Sequence, residues 1–287
     1  MESLASVREH TLLAADGTAL FVRDSMLPAD QAATRRGIVL MHGLGEHSGR
    51  YAHVLRFFNQ CGFSVRCYDH RGHGRSGGVR GGVPNGDPLV FDAQIVIEDF
   101  AKKFSTPPLL CGHSMGGLIA ARFATAAISP LGGLILSSPA LAIPLSQGQA
   151  LLLKVLSRLA PGLTLANGVP KKYLSHAPTV ATAYKTDPLV HSRINARLLR
   201  LMFKMILHAQ DHAAALSIPT LIVAAGDDHL VDLNGSKAFF AKLPDGMATL
   251  HVYDGFYHEV FNEIEAARVF DDIRLWLDER GLMAPAS

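Results

Sequence analysis

Short apolar segments alternate along most of the chain with longer segments whose apolar residues recur at helical spacing. The apolar segments have the length and composition of buried strands; they are Gly37–Met41, Ser64–Tyr68, Pro108–Cys111, Gly133–Leu136, Thr220–Ala224 and Thr249–Tyr253. The segments with helical spacing are Tyr51–Cys61, Asp87–Phe104, Met115–Ala127, Gly235–Leu243 and Glu263–Asp278. Apolar strands separated by helices predict an α/β fold, in which a mostly parallel central sheet is flanked by helices on both faces.

The first part of the chain has a different pattern, typical of an antiparallel hairpin. Arg8–Leu13 and Ala19–Met26 flank the turn sequence Ala15–Asp16–Gly17. A turn sequence between two such segments predicts that they pair with each other.

A long interval, from Leu141 to about Ser217, contains no clear strand. Its helical stretches, Gly148–Leu159 and Ala196–Ala209, are joined by loops that contain Pro and Gly. A helical insertion in a parallel sheet is best placed over the C-terminal edge of the strands, where open α/β sheets bind ligands. The sequence therefore predicts a core formed by residues 1–140 and 218–287, and a helical cap, or lid, formed by residues 141–217, before the predicted strand Thr220–Ala224.

Composition and charge exclude several other classes of protein. The chain has 287 residues, enough for a large buried core, and its formal net charge of +2 argues against nucleic-acid binding. Cys61, Cys67 and Cys111 are too few and too scattered for a disulfide framework, which indicates a reducing compartment. Because Met1–Glu2–Ser3 lacks the features of a signal peptide and no apolar stretch is long enough to span a bilayer, we expect a cytoplasmic protein.

The clearest chemical motif is Gly112–His113–Ser114–Met115–Gly116, which lies between a predicted strand and a predicted helix. This Gly-x-Ser-x-Gly pattern is the one that presents a serine hydroxyl on a tight turn at the edge of a sheet. The glycines allow the backbone and the neighbouring helix to approach closely, and the helix N-terminus favours negative charge that develops nearby. Ser114 is therefore the predicted nucleophile.

In chains with this motif the catalytic partners follow in the order acid, then histidine. His258 lies in the loop after the last predicted strand, whereas His251 lies within that strand, so His258 is the predicted general base. The acid should follow the penultimate strand, where Asp227, Asp228 and Asp232 compete. Asp228 is favoured by its place in the loop. Asp227 is interpreted as a turn residue that bonds its own backbone, and Asp232 as a stabiliser of the next helix.

Two main-chain amides are predicted to form the oxyanion hole. One belongs to the residue after the nucleophile, Met115, and the other to Leu44, in the glycine-bearing loop after the first apolar strand. Gly43 and Gly45 give that loop the conformational freedom it needs. His42 is interpreted as an anchor of the loop through a hydrogen bond rather than as a catalytic group.

Six motifs together resemble the monoacylglycerol lipase family of α/β-hydrolases, also described as lysophospholipase-like. They are His42–Gly43–Leu44–Gly45–Glu46–His47–Ser48–Gly49–Arg50–Tyr51, Asp69–His70–Arg71–Gly72–His73–Gly74–Arg75–Ser76, Gly112–His113–Ser114–Met115–Gly116–Gly117, Asp187–Pro188–Leu189–Val190, Asp228–His229–Leu230–Val231–Asp232 and Tyr257–His258–Glu259. The resemblance covers nearly the whole chain. It implies the α/β-hydrolase fold and an enzyme that splits a single fatty acyl chain from glycerol under a mobile, apolar helical cap. It also maps the acid onto Asp228, the base onto His258, and the oxyanion hole onto Leu44 and Met115.

The function expected from these observations is that of a serine carboxylic ester hydrolase. It would release a fatty acid from a monoacylglycerol or a similar single-chain ester through an acyl-enzyme. The expected partner is a small-molecule acyl ester, with no cofactor and no metal, and a transient contact of the cap with a membrane or lipid aggregate fits the same interpretation. Met202 and Met205 could either line an acyl tunnel or fill gaps in the packing.

Three alternatives remain open. The first is a general carboxylesterase and the second an aminopeptidase of the same fold. An aminopeptidase needs acidic groups to hold a free α-amine, and residues 141–208 contain only Asp187 as an acid. The third alternative is a non-catalytic binding protein on a hydrolase scaffold, which an intact set of serine, acid and histidine disfavours.

Overall fold

The structure, a computed structural model, describes residues 5–28 and 36–283. Eight strands form one central sheet: β1 (Ser6–Leu13), β2 (Ala19–Met26), β3 (Arg36–Met41), β4 (Phe63–Tyr68), β5 (Leu109–His113), β6 (Gly133–Ser137), β9 (Thr220–Ala225) and β10 (Ala248–Tyr253). Their spatial order is β1-β2-β4-β3-β5-β6-β9-β10. Three stretches of the predicted core lie outside the described residues, namely 1–4, 29–35 and 284–287. The first of them includes the segment Met1–Glu2–Ser3.

The direction of the strands agrees with the sequence. β1 pairs with β2, and β2 with β4, in antiparallel fashion, and the remaining neighbours in the sheet are parallel. The parallel register places Met41, at the end of β3, opposite Gly112 near the end of β5. The loop that follows β3 and the turn that follows β5 therefore meet at one edge of the sheet.

Eight α-helices accompany the strands in the described part of the chain. They are α1 (Ala52–Gln60), α2 (Pro88–Ala101), α3 (Met115–Thr125), α4 (Gln147–Leu159), α5 (Pro178–Thr186), α6 (Ala196–Asp211), α7 (Leu233–Phe240) and α8 (Ala266–Glu279). The start of α7 was expected at Gly235. It lies two residues earlier because the Asp232 side chain accepts a hydrogen bond from the amide of Asn234, 2.9 Å away, and so caps the helix.

Alternation along each strand divides the interior into two apolar cores, one on each face of the sheet. In β3, Ile38 and Leu40 pack into the core that contains α1 and α8, whereas Val39 and Met41 pack into the core that contains α2 and α3. Successive side chains of a strand point to opposite faces, so a strand that is apolar throughout requires a cover on both sides. The predicted α/β arrangement is confirmed.

The segment between β6 and β9, residues 141–217, is called the inserted segment below. It contains α4, α5 and α6, and also two short strands, β7 (Thr164–Ala166) and β8 (Arg193–Asn195), which form a separate antiparallel ribbon. The expectation that this interval has no strand was wrong. Three residues are too few to show a period of two, and so the pattern could not reveal them. On its inner side α6 packs against α3 and contributes Leu198 and Met205 to the larger core.

Two other sequence expectations concern the cysteines and the helices. Cys61, Cys67 and Cys111 are free, in agreement with the absence of a disulfide framework, and all three are buried. None of the helices within residues 5–28 and 36–283 has the length and apolar content needed to cross a lipid bilayer.

Candidate active site

Ser114 lies on the turn between β5 and α3, in a backbone conformation that is rare for any residue other than glycine. Its φ is 54° and its ψ is −117°, a strained conformation that costs on the order of 1–3 kcal/mol. The flanking glycines make the turn possible. A Cβ added to Gly112 would collide with the carbonyl oxygen of Gly116, and one added to Gly116 would collide with that of Met41. The Gly-x-Ser-x-Gly pattern is therefore required by the close approach of three backbone segments.

Asp228 and His258 form a direct pair. The Nδ1 atom of His258 lies 2.7 Å from Oδ2 of Asp228, and both side chains are buried. The other carboxylate oxygen, Oδ1, accepts hydrogen bonds from the amides of Leu230 at 2.8 Å and Val231 at 3.0 Å. The carboxylate is thus held by the loop that follows β9, and it orients the imidazole through one ring nitrogen.

The protonation of this pair follows from its surroundings. Burial would lower the pKa of His258, but the charge and hydrogen bond of Asp228 outweigh burial and raise the pKa above its ordinary value. Burial would raise the pKa of Asp228, yet the charge of His258 and the three hydrogen bonds to the carboxylate bring it below its ordinary value. Asp228 is accordingly a carboxylate, and His258 is a stronger base than a histidine in water.

The two other aspartates of this loop have different partners. Asp227 is largely exposed, and its Oδ1 lies 3.3 Å from Nε2 of His229. It was expected to bond its own backbone as a turn residue; instead its side chain pairs with a neighbouring imidazole. Asp232 caps α7, as expected. Of the three aspartates, Asp228 is the one whose carboxylate reaches His258.

The loop after β3 comes very close to Ser114. A Cβ added to Gly43 would lie 3.2 Å from the Cβ of Ser114. Gly45 has a φ of +80°, and a side chain there would collide with the carbonyl oxygen of His191. Leu44 lines the same cavity as Ser114. Among the residues that the structure describes, the amides of Leu44 and Met115 donate to no protein group, so both remain available to a ligand oxygen.

His42 anchors this loop, in agreement with the sequence interpretation. Its Nε2 accepts a hydrogen bond from the amide of His70 at 3.0 Å. Its Nδ1 therefore carries the proton and donates to the carbonyl oxygen of Gly43 at 2.8 Å. Burial lowers the pKa of His42 to about 3, which keeps the ring neutral and preserves this pattern of donor and acceptor.

A buried network of ion pairs lies beside Ser114 and His258, and it was not predicted from the sequence. Arg50 donates to Glu46, and also to Glu259 at 2.9 Å and 2.8 Å. Glu46 accepts further hydrogen bonds from the Tyr51 hydroxyl and from the Gly43 amide, each at 2.6 Å. Burial opposes the charge of Glu46, but the charge of Arg50, two neighbouring histidines and the hydrogen bond from Tyr51 together outweigh burial and hold the pKa of this carboxyl below its ordinary value. The charged motif residues were visible in the sequence, but nothing in their spacing showed that they would meet Glu259.

A cavity of about 420 Å³ connects these groups to the inserted segment. Ser114 and His258 line it together with polar residues that include Glu46, Asn167, Tyr184, His229 and Glu259. Its apolar wall comes mainly from the inserted segment and includes Ile143, Leu145, Leu152, Leu153, Leu156, Leu165, Leu199 and Met202. Of the two methionines considered from the sequence, Met202 lines the cavity and Met205 is buried in the core.

The chain is similar to known hydrolases in both sequence and structure. The family model described as "Serine aminopeptidase, S33" matches residues 32–265. A monoacylglycerol lipase of Mycolicibacterium smegmatis is 35% identical over 278 residues, which are 96% of this chain and 98% of that protein. The chain belongs to the monoacylglycerol lipase family of α/β-hydrolases. The predicted family and fold are confirmed, and the protein is a serine ester hydrolase.

Two further relatives support membership of the family. The crystal structure of a monoacylglycerol lipase from Paleococcus ferrophilus superposes with a TM-score of 0.81 at 34% identity, covering 91% of this chain and 99% of that one. The phospholipase YtpA of Bacillus subtilis is 32% identical over 246 residues, which are 84% of this chain and 95% of that protein. These relatives share nearly their full length with the chain.

Proposed function

We propose that this protein hydrolyses monoacylglycerols and similar single-chain esters, releasing the fatty acid. The observation that carries the proposal is the composition of the cavity, which Ser114 and His258 line together with many apolar and several polar side chains. An acyl chain would gain about 0.8 kcal/mol for each CH₂ that enters such an apolar space. Asn167 and Tyr184, which also line the cavity, offer hydrogen-bond partners to the hydroxyl groups of glycerol. The lipase relatives support the same substrate class.

The proposed reaction begins with proton transfer. Nδ1 of His258 is hydrogen-bonded to Asp228, which leaves Nε2 free to accept a proton. Nε2 takes the proton of the Ser114 hydroxyl as the serine oxygen attacks the ester carbonyl. The amides of Leu44 and Met115 would then hold the negative oxygen of the tetrahedral intermediate. His258 returns the proton to the departing alcohol, which leaves an acyl group on Ser114. Water, activated by the same histidine, releases the fatty acid and restores the serine.

The inserted segment is proposed to serve as the cap over a core formed by residues 1–140 and 218–287. It supplies most of the apolar wall of the cavity and therefore shields the acyl chain from water. Its helix α4 has no buried residue and exposes Leu151, Leu152, Val155 and Leu159. A group of exposed apolar side chains is typical of a surface that contacts a membrane or lipid aggregate, and we include this contact in the proposal. A cytoplasmic location remains a prediction, compatible with three free cysteines.

An aminopeptidase activity remains the main rival, since the matching family model has that description. A free α-amine needs an unpaired carboxylate in the cavity. Glu46 and Glu259 line the cavity, but both already accept hydrogen bonds from Arg50. Asp187, the remaining acid between residues 141 and 208, accepts a hydrogen bond from His47 at 2.8 Å. These pairings favour an ester over a peptide substrate.

The deciding experiment compares product release from four substrates: a medium-chain monoacylglycerol, p-nitrophenyl acetate, a lysophospholipid and leucine p-nitroanilide. We expect the monoacylglycerol to have the highest kcat/KM and leucine p-nitroanilide to be inert. Ser114→Ala should remain folded and lose about 10⁴-fold or more of the activity. A fluorophosphonate should label Ser114 stoichiometrically. Preference for the anilide, or labelling of another residue with Ser114 unmodified, would overturn the proposal.

A further inference from the structure

A second cavity lies along the neighbouring face of α4, between this helix and α6. It has a volume of about 410 Å³ and is called the cap groove here. Three apolar and three cationic side chains define it: Leu145, Leu153, Phe203, Lys154, Arg158 and Arg200. The apolar side chains are half-buried, whereas the three cations are exposed. The groove thus combines an apolar surface with a cluster of positive charges, which is the composition expected of a site for an anionic amphiphile.

The cations of the groove have no internal counterions. Within the described residues, Lys154, Arg158 and Arg200 form no ion pair and their side chains donate no hydrogen bond to the protein. The wider region has the same sign. Residues 141–208 contain one acid and nine basic residues, which are Lys154, Arg158, Lys171, Lys172, Lys185, Arg193, Arg197, Arg200 and Lys204. The single acid, Asp187, is bonded to His47. The potential at the groove therefore favours an anion.

Residues of α4 line both cavities, from two neighbouring faces of the helix. Gln149, Leu152 and Leu156, which recur at helical spacing, line the catalytic cavity. Lys154 and Ser157 lie on the neighbouring face and line the cap groove. Two apolar residues, Leu145 and Leu153, line both cavities. The groove therefore shares a wall with the cavity in which an ester would be cleaved.

We propose that the cap groove binds a fatty-acid anion, with its carboxylate against Lys154, Arg158 and Arg200 and its chain along Leu145, Leu153 and Phe203. An apolar chain alone would not require the three cations, and a small anion alone would not require the apolar surface. Both parts are needed by a single-chain carboxylate. The choice of a fatty acid among single-chain anions rests on the proposed function, which makes this product on the other side of the shared wall.

The test uses protein whose Ser114 carries a long-chain alkyl phosphonate, so that the catalytic cavity is already filled. Laurate, kept below its micelle concentration, is titrated into this protein and its binding is measured by calorimetry. We expect one equivalent of laurate to bind, and the double variant Arg158→Gln/Arg200→Gln to weaken binding by roughly tenfold or more. Lys185→Gln/Arg193→Gln is the matched control. It removes two exposed cations of the same segment outside the groove, and it should bind laurate as the parent does.

Three results would overturn the proposal. The first is no uptake of laurate by the blocked protein, which would leave the catalytic cavity as the site for the acid. The second is equal affinity for dodecanol, which would reduce the groove to an apolar patch. The third is binding to phosphatidylglycerol vesicles that depends on Arg158 and Arg200, without uptake of laurate, which would assign the cations to a lipid surface. Because binding is measured on inactivated protein, a failure to cleave monoacylglycerols would contradict the proposed function alone.

Discussion

Arg50 donates to both carboxylate oxygens of Glu259, at 2.9 Å and 2.8 Å, and its Nη1 also donates to Glu46. Glu259 directly follows His258 in sequence, and Glu46 belongs to the loop that contains Leu44. One buried guanidinium therefore ties the loop of the proposed base to the loop of the proposed oxyanion hole. These two loops come from opposite ends of the chain, and their relative position decides whether proton transfer and oxyanion binding occur at the same carbonyl.

Replacing Arg50 with methionine should destabilise the protein and lower kcat. The change leaves two buried carboxyl groups without their cation, and breaking a buried ion pair in this way costs about 3–5 kcal/mol. Urea unfolding followed by fluorescence measures the loss of stability, and steady-state kinetics on a soluble ester measures the loss of activity. Adding Glu259→Gln to the same chain should restore part of the stability, because a neutral amide is less costly to bury than an unpaired carboxylate.

The matched control for this prediction is Arg268→Met. Arg268 forms an ion pair with Glu265 at 2.8 Å, but both side chains are more than half exposed. Exposed pairs contribute little, so its unfolding midpoint should equal that of the parent protein. An Arg50→Met protein that unfolds at the same urea concentration as this control would show that the network does not hold the two loops.

Asp228→Asn should lower kcat by about 10³–10⁴-fold, because the imidazole of His258 loses the carboxylate that fixes its tautomer. Asp227→Asn is the natural control, since it makes the same change one residue away on a side chain that pairs with His229. It should retain most of the activity. The measurement is kcat for one soluble ester with all three proteins. A reversed ranking of the two variants would transfer the role of the acid to Asp227.

The positions of the three candidate catalytic residues could be predicted from the sequence, because each of them directly follows an apolar strand or lies in the loop after one. Ser114 follows β5, Asp228 follows β9 and His258 follows β10, and the carboxyl ends of parallel strands meet at one edge of a sheet. Local pattern also identified Asp228 among the three aspartates, although it misassigned the partner of Asp227. The positions of these residues and the contact between Asp228 and His258 agree with the sequence, and their catalytic roles stay predictions.

The parts that the sequence did not reveal depend on contacts between distant segments. Glu46 and Arg50 lie 209 or more residues from Glu259, and no spacing rule joins them. The ribbon of β7 and β8 is too short to show a period. Met202 and Met205 are both residues of α6, and their residue type does not distinguish them. They point in different directions around the helix axis, and of the two only Met202 lines the cavity.

The free energy of unfolding should fall steadily as the pH drops below about 6.5, the ordinary pKa of histidine. Burial lowers the pKa of His42 to about 3, and it lowers the pKa values of His70 and His73 well below the ordinary value. The folded protein keeps these rings neutral, whereas the unfolded chain takes up a proton on each. Stability is therefore fully present above pH 6.5 and is lost as the pH falls toward the folded-state values.

Each of these histidines should contribute a slope of about 1.4 kcal/mol per pH unit in the acid range. Urea unfolding of the parent and of His73→Gln, at several pH values between 7.5 and 5, tests this prediction. Below pH 6.5 the free energy of unfolding should change less steeply with pH in the variant than in the parent, by the contribution of one proton. Above pH 7 the two slopes should coincide. Identical slopes throughout the acid range would mean that His73 is protonated in the folded protein.

The apolar wall of the catalytic cavity leads to the last prediction, which concerns the length of the acyl chain. Each CH₂ that enters the cavity contributes about 0.8 kcal/mol, so kcat/KM should rise about fourfold per CH₂ until the cavity is full. A series of monoacylglycerols kept below their micelle concentrations measures this rise without any lipid surface. A flat profile, or an optimum at acetate, would point to a small-ester esterase.

Leu151 and Leu152 offer a matched pair of variants for this series. Both are exposed residues of α4, with exposures of 63% and 50%, so a glutamate at either position should be tolerated by the fold. Leu152 lines the catalytic cavity, whereas Leu151 does not. Leu152→Glu should flatten the dependence on chain length, because a charged group at the wall opposes the entry of methylene groups, and Leu151→Glu should leave the dependence intact. If both variants keep the parent profile, the acyl chain does not pass along α4 and must follow another part of the cavity wall, such as the one formed by Leu199 and Met202.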